Sequence, residues 1–560
     1  MSREGNHKMT AQEGADLTLE GAEALLGAGE SLLTTALLRA RALTRDGAAI
    51  DDHQVVTERV AYAATELRAA RELLSFARAI AAEGRGADHE ATAMAAIADL
   101  VASLRARLES VALELGLDEA TFERAFPAAL RAQLRSATRE SHVRAIGRAT
   151  IEKRGRTEPP LDETLEQVRA SVREFAEKEV LPHAERIHRH DEDIPESFIT
   201  KMGELGYFGL SIPEQYGGHE LGNLAMILTT EELSRASLAA AGSLITRPEI
   251  LTKALLQGGS EAQKRHWLPK LASGEVMVGV SVTEPDVGSD VAAVKCRAVR
   301  GTLGSKAGWM IQGPKAWCTF AGRANVLALL ARTDPDPASG AKGLSLFIVP
   351  KLPSSGHSFE QQQPGGGRLV GKADATPGYR GMHSFTLNFE NWFVPGENLV
   401  GEEGGLGKGF YLQMGGFAAG RLQTGGRGCG LAQAALEETA KYVAGRTQFG
   451  RPIADYQLTQ YTLGRMALRL LQARAITYAA ALAMDEDERA AAPLAAQAKL
   501  LACDIAVEVT QQGQLMHGGW GYAEEYPISR YVVDASVLPI FEGVKPILEL
   551  KVIGRALLGA

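Results

Sequence analysis

One carboxylate stands out near the end of the chain, in the apolar stretch LPIFEGVKPIL (residues 538–548). Glu542 lies there between Phe541 and Gly543. Apolar surroundings disfavour the charge of a carboxylate and make it a stronger base, and a positioned base can remove a proton from carbon. The alternative is a helix N-terminus, where free backbone N–H groups favour an acidic residue and Pro546 suits the first turn. The stretch alone is compatible with both interpretations.

Two stretches in the middle of the chain have residue types that suit a flat ligand with a polar edge. In VGVSVTEPDVGSD (residues 278–290) a strand-like run leads to Thr283 and then to a turn at Gly288 and Ser289, where N–H groups and hydroxyls can hold a ring edge or a pyrophosphate. In GPKAWCTFAG (residues 313–322), Trp317 and Thr319 are two residues apart, which puts both on one face of a strand. Each stretch alone is also typical of an ordinary β-turn or a core tryptophan.

The elements that must position these residues change type along the chain. Residues 17–134 have helical spacing, and a charged stretch around Pro159 and Pro160 then predicts a linker. Further helices, a run of short strands and more helices follow. Since 560 residues are too many for one core, we predict four domains. They are an N-terminal helical extension (1–155), a helical domain (156–274), a β-domain of sandwich or barrel type (275–395) and a helical C-terminal domain (396–560).

The composition narrows the class of protein. With 45% hydrophobic and 23% charged residues it is typical of a globular protein. The net charge of −8 argues against general nucleic-acid binding, which needs a basic surface. The polar N-terminus resembles neither a signal nor a transit peptide, and no run of about 18 apolar residues predicts a membrane span.

The cysteines give no sign of a metal site or a disulfide framework. They lie far apart in the sequence, and no CxxC pair is present. A reducing compartment fits this pattern, so we expect a cytoplasmic protein.

Other patterns are weaker. The stretch HAERIHRHDED offers potential metal ligands at His183, His188, His190, Asp191 and Asp193. It is also typical of the charged end of a solvated helix, and we predict no metal site. The stretch GGRGCG (residues 425–430) lacks the third glycine of a dinucleotide-binding loop and follows a helical pattern, so we predict no Rossmann site there.

One internal similarity links the two ends of the chain. HQVVTERVAYAATELRAARELL (residues 53–74) resembles YQLTQYTLGRMALRLLQARAIT (residues 456–477), with Gln54 and Arg71 spaced like Gln457 and Arg474. Chance similarity between two helices rich in Ala, Leu and Arg is an equal alternative. If the similarity is real, the extension copies part of the C-terminal domain without its chemistry.

A series of motifs extends from about residue 161 to the end of the chain. In order they are LGYFGLSIPEQYGG, EELSRA, SEAQKRHWLPKLASGE, SVTEPDVGSD, KAWCTF, GYRGMHSF, GRTQFGRPI, HGGWGYAEEYPISRYVVDA and IFEG. Through them the chain resembles the acyl-CoA dehydrogenase family of flavoenzymes. The resemblance implies a mainly α-helical fold with an inserted β-domain, made of a helical domain, a small β-domain and a four-helix C-terminal domain. The N-terminal helical extension comes in addition.

The resemblance implies FAD as the cofactor and assigns residues to its site. The flavin-binding turn corresponds to Val280, Val282, Thr283, Gly288 and Ser289. Trp317 and Thr319 correspond to the pair that packs at the isoalloxazine ring, and Gly518 and Gly519 to a Gly-Gly that lets the backbone approach FAD. The residues that correspond to those reaching the FAD of a neighbouring subunit, and so imply a homo-oligomer, a dimer or tetramer, are Arg446, Gln448, Phe449 and Gln457.

The resemblance also assigns the chemistry. Glu542 corresponds to the base that removes the Cα proton of an acyl-CoA thioester, while a hydride leaves Cβ for the flavin. The substrate-binding positions implied are Ser289, Arg421 and Gly543. Val544 departs from the threonine that is usual in the family, so a hydroxyl contact to flavin is lost there. Lys545-Pro546 likewise replaces small polar residues.

The extension and the unusual C-terminal stretch narrow the expected substrate to a short branched acyl-CoA. Within the resemblance they indicate oxidation of methylsuccinyl-CoA to mesaconyl-CoA, as in the ethylmalonyl-CoA pathway, with electrons passed to electron-transferring flavoprotein. A buried second carboxylate would need a cation, and we expect Arg247, in the helix-like stretch GSLITRPEILTKALL, to supply it. An arginine that is exposed or paired with Glu249 is the alternative. The other functions left open are oxidation of another short branched acyl-CoA and DNA protection by a non-metabolic flavoprotein of the superfamily, which salt-dependent DNA binding would reveal.

Overall fold

The N-terminal extension is a bundle of helices packed through alanine- and leucine-rich faces. The computed structural model describes residues 18–84 and 87–559. The helices of the extension are α1 (Leu19–Thr44), α2 (Gln54–Ala82), α3 (Ala87–Glu109), α4 (Ala112–Leu115), α5 (Glu119–Ala125), α6 (Ala128–Ala137) and α7 (Glu140–Glu152). Along α1, Leu32, Ala36 and Ala40 are fully buried at helical spacing. This periodic face gives the extension a core shared with the neighbouring helices.

The helical domain that follows carries the turn in which Arg247 lies. Its helices are α8 (Glu163–Phe175), α9 (Leu181–His190), α10 (Glu196–Glu204), α11 (Gly222–Ala236), α12 (Glu249–Gly258) and α13 (Glu261–Ala272). Wider helical turns at Ala176–Val180 and Leu238–Gly242 extend α8 and follow α11. The expected helix around Arg247 begins only at Glu249, because a residue that precedes proline, as Arg247 precedes Pro248, disfavours helical backbone angles.

The β-domain is one sheet in which most neighbours are antiparallel. Its strands are β1 (Val278–Ser281), β2 (Arg297–Leu303), β3 (Lys306–Thr319), β4 (Val326–Arg332), β5 (Leu344–Pro350), β6 (Ser358–Gln362), β7 (Arg368–Ala373) and β8 (Ser384–Pro395). The order is β1-β4-β2-β3-β8-β7-β6, with β5 also paired to β4. Strand β1 runs parallel to β4, whereas β3 and β8 form a long antiparallel pair.

Strand β4 shows how the sheet joins the helices. Leu327 and Leu329 pack into the interior of the β-domain, while Val326 and Ala328 pack with Leu251 of α12. A strand that is apolar on both faces is buried on both. The β-domain is therefore fixed against the helical domain by a shared core.

Helices return in the C-terminal domain, which packs four helices around a core. They are α14 (Gly409–Gly445), α15 (Gln457–Glu486), α16 (Glu488–His517) and α17 (Ile528–Ala535), followed by the short α18 (Lys545–Ile547) and α19 (Arg555–Leu558). Short strands β9 (Thr447–Gln448) and β10 (Arg451–Pro452) form a hairpin before α15. A wider helical turn, Leu548–Gly554, joins α18 to α19. This architecture confirms the predicted fold class.

Glycines bring α14 close to its neighbours. A Cβ at Gly430 would lie 2.1 Å from the carbonyl oxygen of Glu231 in α11, and one at Gly428 would lie 2.8 Å from that of Ala502 in α16. The stretch GGRGCG is thus the interior of a packed helix, and its glycines serve helix contacts.

One stretch passes a membrane test by length and composition alone. It spans Glu488–Tyr522 and includes α16. Because 72% of its most apolar window is buried inside the protein and α16 packs against α14 and α15, it has the properties of a core helix.

The extension lies directly on the C-terminal domain. Helices α2 and α7 pack against α15, and α2 also packs against the turn Leu548–Gly554. The two segments with similar sequence form α2 and α15, which begin at the matched residues Gln54 and Gln457. Their matched arginines differ: Arg71 is exposed and pairs with Glu30, whereas Arg474 is buried.

The stretch around residues 155–160, which joins the extension to the helical domain, is predicted to be a linker from its charge. In the structure it is fixed by hydrogen bonds and an ion pair to neighbouring helices. Gln433 Nε2 donates to the Gly155 carbonyl oxygen at 2.9 Å, and Arg169 donates to the Pro159 carbonyl oxygen at 3.1 Å. Glu158 forms an ion pair with Arg173. Burial opposes the charge of Glu158, but Arg474 and Arg173 outweigh it and lower the pKa of this carboxyl from 4.5 to about 2.

The lowered pKa of Glu158 predicts a pH-dependent contribution to stability. The stabilising charge is fully present above pH 4.5 and is lost as the pH falls towards 2. A shift of this size corresponds to about 3 kcal/mol. We therefore expect Glu158→Gln to lower the melting temperature at pH 7, with a difference from the wild type that shrinks as the pH falls through this window. Thermal unfolding of both proteins across pH checks it, and a difference independent of pH would contradict it.

Candidate active site

Glu542 lies in a tight turn between α17 and α18. Its backbone is left-handed (φ 54°), and Gly543 follows at φ 98°. Helix α18 begins at Lys545 with Val544 as its N-cap residue and has no side-chain cap. The capping interpretation of Glu542 is therefore wrong, because among the described residues its carboxylate accepts from none of the first N–H groups of this helix.

The half-buried Glu542 side chain places one carboxylate oxygen against α14. A Cβ at Gly420 would be 2.9 Å from Oε2 of Glu542, so a larger residue there would displace this oxygen. Oε2 is buried, and among the described residues it has no hydrogen-bond partner. Buried polar atoms without partners are rare in proteins and often mark catalytic groups.

Two cations, the buried Lys499 and the half-buried Arg421, hold the backbone around Glu542. Lys499 of α16 donates from Nζ to the carbonyl oxygen of Gly543 at 2.5 Å. Arg421 of α14 donates from Nε to the carbonyl oxygen of Glu542 at 3.4 Å. Burial lowers the pKa of Lys499 and of Arg421, and the nearby charge of Glu542 opposes that shift in both. The predicted substrate-binding residues Arg421 and Gly543 thus lie beside the predicted base.

Phe541 connects the turn to the helical domain. Its ring packs edge-on against Tyr379, with centroids 5.5 Å apart. The Tyr379 hydroxyl donates to Ser243 Oγ at 2.6 Å, and its backbone N–H donates to Asp534 at 2.7 Å. Tyr379 comes from the motif GYRGMHSF, which is therefore part of the site.

Arg247 is buried beside this group, with 5% of its surface exposed. Its Nε donates to the Ser243 carbonyl oxygen at 2.9 Å and its Nη2 to the Thr246 hydroxyl at 3.3 Å. Glu249 instead accepts from Ser211 at 2.6 Å. Arg247 is thus neither exposed nor paired with Glu249, and the alternative interpretation of this residue is wrong.

Arg427 of α14 completes the cluster and was missed in the sequence. Its Nη2 donates to the same Thr246 hydroxyl, and its guanidinium lies 5.5 Å from the centre of the Phe541 ring. It is 1% exposed, and its Nε is buried without a partner among the described residues. Burial lowers the pKa of Arg427, with Tyr379 and Glu542 acting against the shift and Arg247 with it. The available signal was a lone arginine among the glycines of GGRGCG.

The predicted flavin turn lies against the strand that carries Trp317. The backbone N–H of Ala316 donates to the Thr283 carbonyl oxygen at 2.8 Å. Beneath the turn, buried Lys315 donates to the Val282 carbonyl oxygen at 2.8 Å and to Glu284 at 3.0 Å. The predicted residues that precede or form the turn are Val280, Val282, Thr283, Gly288 and Ser289.

Trp317 is turned out of strand β3. The pairing with β8 shifts between Lys315 and Cys318, and Trp317 has a left-handed backbone (φ 57°). Its side chain is 60% exposed, while Cys318 next to it is buried. The Thr319 hydroxyl lies 3.0 Å from that of Ser384. The irregularity interrupts the alternation at Trp317, so the expectation that Trp317 and Thr319 share one face stays a prediction.

These features fit a flavin. The exposed indole offers an apolar face beside the backbone and hydroxyl groups of the turn, and a Cβ at Gly288 would meet no atom within 4 Å. The same open space surrounds Gly518 and Gly519. The residues present are compatible with FAD, whose ring would lie at Trp317 and Thr319.

The residues predicted to reach a neighbouring subunit lie on the surface. Arg446, Gln448 and Phe449 lie on or beside the β9–β10 hairpin, and Gln457 begins α15. Phe449 is 96% exposed. Phe449 is thus accessible for a contact, and the assignment of these residues to a second subunit stays a prediction.

The histidine-rich stretch contributes two aspartates, Asp191 and Asp193, to a cluster. Asp191 lies with His357 and His383, and their ligand atoms are within 4.8 Å of one another. Asp191 accepts at 3.0 Å from His357 and at 3.1 Å from His383, and Arg380 lies 3.7 Å away. Burial disfavours a charged His383, but Asp193 and Asp191 outweigh it and raise its pKa. These groups satisfy one another as an ion-pair cluster between the helical domain and the β-domain.

Comparison with known proteins agrees with this site. Models of the N-terminal, middle and C-terminal domains of acyl-CoA dehydrogenases match residues 162–275, 279–392 and 407–558. A (2S)-methylsuccinyl-CoA dehydrogenase of Cereibacter sphaeroides is 37% identical over 525 residues, covering 91% of this chain and 92% of that protein. A mitochondrial 2-methylacyl-CoA dehydrogenase of Solanum tuberosum is 38% identical and covers 71% of this chain and 91% of its own.

Solved structures show the same fold. A glutaryl-CoA dehydrogenase in complex with glutaryl-CoA has a TM-score of 0.63 and 32% identity, covering 70% of this chain and 94% of its own. The matches extend through all three catalytic domains, and the predicted base, flavin turn and substrate-side cations occupy them. The chain belongs to the acyl-CoA dehydrogenase family of FAD-dependent oxidoreductases.

Proposed function

We propose that the protein oxidises (2S)-methylsuccinyl-CoA to mesaconyl-CoA, with Glu542 as the catalytic base. The observation that supports this substrate is the pair of buried guanidinium groups, Arg247 and Arg427, on the same side of the protein interior as Phe541 and Glu542. No Asp or Glu in the described part of the chain forms an ion pair with either. The similarity to a methylsuccinyl-CoA dehydrogenase along 91% of the chain supports the proposal.

The charge of these arginines favours a dicarboxylic substrate. An unpaired buried charge is costly, so a site that keeps two of them is suited to an anionic ligand. Both donate to the Thr246 hydroxyl, which places them side by side. The planar fork of a guanidinium matches a carboxylate. The distal carboxylate of methylsuccinyl-CoA supplies such a group.

The same turn provides the groups for proton removal. The Glu542 carboxylate accepts the Cα proton, the electron pair of that bond forms the Cα–Cβ double bond, and a hydride leaves Cβ. Among the described residues none accepts from the Glu542 backbone N–H, so this donor is free to stabilise charge on the thioester oxygen. Lys499 and Arg421 hold the backbone carbonyl groups of Gly543 and Glu542, respectively, and so keep the base in place. FAD, when bound at the Trp317 surface, supplies the hydride acceptor.

The partners follow from the chemistry. A reduced flavin must be reoxidised, and we propose electron-transferring flavoprotein as the acceptor. The exposed hairpin around Phe449 supports a homo-oligomer in which one subunit completes the cofactor site of another. A cytoplasmic location and a role in the ethylmalonyl-CoA pathway belong to the same proposal.

A second candidate is oxidation of a neutral short branched acyl-CoA. The 38% identity to a 2-methylacyl-CoA dehydrogenase favours it. A dye-linked assay across acyl-CoA esters, including dicarboxylic ones, separates the two. Preference for methylsuccinyl-CoA supports the first proposal, and preference for a neutral 2-methyl ester supports the second.

Glu542→Gln should retain FAD and bind substrate while losing most of its activity. Glutamine keeps the shape of the side chain but accepts no proton, and a general base contributes about 10²–10⁴-fold. The measurement is kcat alongside flavin absorbance of the purified protein. The wild type should be yellow with non-covalent FAD. Near-normal turnover of the variant would place the base elsewhere, and a folded wild type that takes up no FAD would contradict the proposed activity.

Arg247→Met and Arg427→Met should each lower kcat/KM for methylsuccinyl-CoA by about a hundredfold or more, since loss of a buried partner for a charge costs about 3–5 kcal/mol. The kcat/KM of the same variants for a neutral 2-methyl ester should fall much less. Arg247→Lys is the matched control, because it keeps the charge and loses the planar fork of the guanidinium. Its kcat/KM for methylsuccinyl-CoA should lie between those of the wild type and Arg247→Met. An unchanged ratio of kcat/KM for the two esters would contradict the role of these residues.

A further inference from the structure

The N-terminal extension reaches the turn that carries Glu542 through one partly buried cluster. Tyr62 of α2 donates from its hydroxyl to Asp504 Oδ2 of α16 at 2.7 Å. Lys545 donates from Nζ to the same oxygen at 2.5 Å. Lys545 follows Glu542 by three residues. The extension is therefore connected to the catalytic turn through one shared carboxylate.

Lys545 also closes the turn. Its backbone N–H donates to the Pro539 carbonyl oxygen at 2.9 Å, so residues 539–545 form a closed loop around Glu542, here named the base loop. On the other side of the base loop, Lys499 holds the Gly543 carbonyl oxygen. Helix α16 thus holds the base loop at two points, directly through Lys499 and through Asp504 at Lys545.

Tyr62 is itself firmly held by the extension. It is 4% exposed, and the Arg107 guanidinium lies 4.0 Å from the centre of its ring. Arg107 in turn donates to buried Glu66 at 3.0 Å. The ring lies 5.2 Å from Lys545 Nζ on the catalytic side, which adds a cation–π contact to the shared carboxylate. Burial raises the pKa of Tyr62 well above 10, which keeps its hydroxyl a proton donor.

We propose that the extension positions the catalytic base, with Tyr62 and Lys545 as positioning residues that act through Asp504. Lys545 stands where the family pattern has small polar residues, and the extension is the segment that this chain adds to the family's domains. These two differences from the family pattern, Lys545 and the extension, are in contact in this cluster. A base loop with φ 54° at Glu542 and φ 98° at Gly543 needs such support, because left-handed backbone is unfavourable for a glutamate. The inference rests on the proposed function of Glu542.

The test uses FAD-loaded, full-length protein and the variants Tyr62→Phe and Lys545→Met. Tyr62→Phe removes only the hydroxyl, so it changes packing little. We expect kcat to fall about threefold in Tyr62→Phe and about tenfold or more in Lys545→Met, because Tyr62 loses one hydrogen bond to Asp504 whereas Lys545 loses an ion pair with it. KM and FAD content should change little. The isotope effect on an α-deuterated substrate should rise, since a displaced base slows Cα–H cleavage in particular.

Two controls separate positioning from stability. Arg465→Gln breaks the ion pair with Asp99, which joins α15 to the extension away from the base loop. It should lower the melting temperature and leave kcat and the isotope effect unchanged. Lys545→Arg keeps the charge and should restore most of the activity lost in Lys545→Met.

The outcomes are distinct. Tyr62→Phe with wild-type kcat and isotope effect would overturn the inference, even if Lys545→Met failed to fold. Equal losses in Tyr62→Phe and Arg465→Gln would also overturn it, because the effect would then follow stability alone. A wild type that oxidises no acyl-CoA ester would defeat the proposed function, whatever the variants show.

Discussion

The half-buried carboxylate of Glu542 has one enclosed oxygen without a hydrogen-bond partner among the described residues, and four cations lie near it. Arg421 and Lys499 hold the backbone of its turn, while Arg247 and Arg427 lie beyond Phe541 and Thr246. Removing so many charges from water is costly, and the cost is offset only if ligands or hydrogen bonds complete the site. The rest of the structure has to keep these groups in place without letting them pair with one another or with other carboxylates.

Each of several helices and the β-domain positions a different residue of the site. Helix α14 carries Arg421 and Arg427, and its Gly420 leaves room for the Glu542 side chain. The turn before α12 supplies Arg247, and α16 supplies Lys499. The β-domain shares a core with the helical domain through β4, which fixes the Trp317 surface relative to the helices. The base therefore lies in a frame built from distant parts of the sequence.

Much of this could be predicted from the sequence. The order of helices and strands follows from periodicity, and Glu542 and Arg247 stand out as charges in apolar stretches. The helix around Arg247 begins later than expected because Pro248 disfavours helical backbone before it. The stretch around Glu158 was expected to be a linker because its charges are visible, whereas its partners Arg173 and Arg474 come from other elements. Arg427 was missed since its glycine neighbours suggest a loop, and only the packing of α14 shows that it is buried beside the base. The contact of Tyr62 with Asp504 joins residues too distant in sequence for any local pattern to reveal.

The most direct test of this account is the rate of flavin reduction in a single turnover. FAD-loaded wild-type protein is mixed without oxygen with (2S)-methylsuccinyl-CoA or with 2-methylbutanoyl-CoA, which is branched at the same carbon but lacks the distal carboxylate. Since each 1.4 kcal/mol of added stabilisation changes a rate about tenfold, two guanidinium groups on one carboxylate predict reduction at least about a hundredfold faster with the dicarboxylic ester. Equal rates, or faster reduction by the neutral ester, would contradict the account.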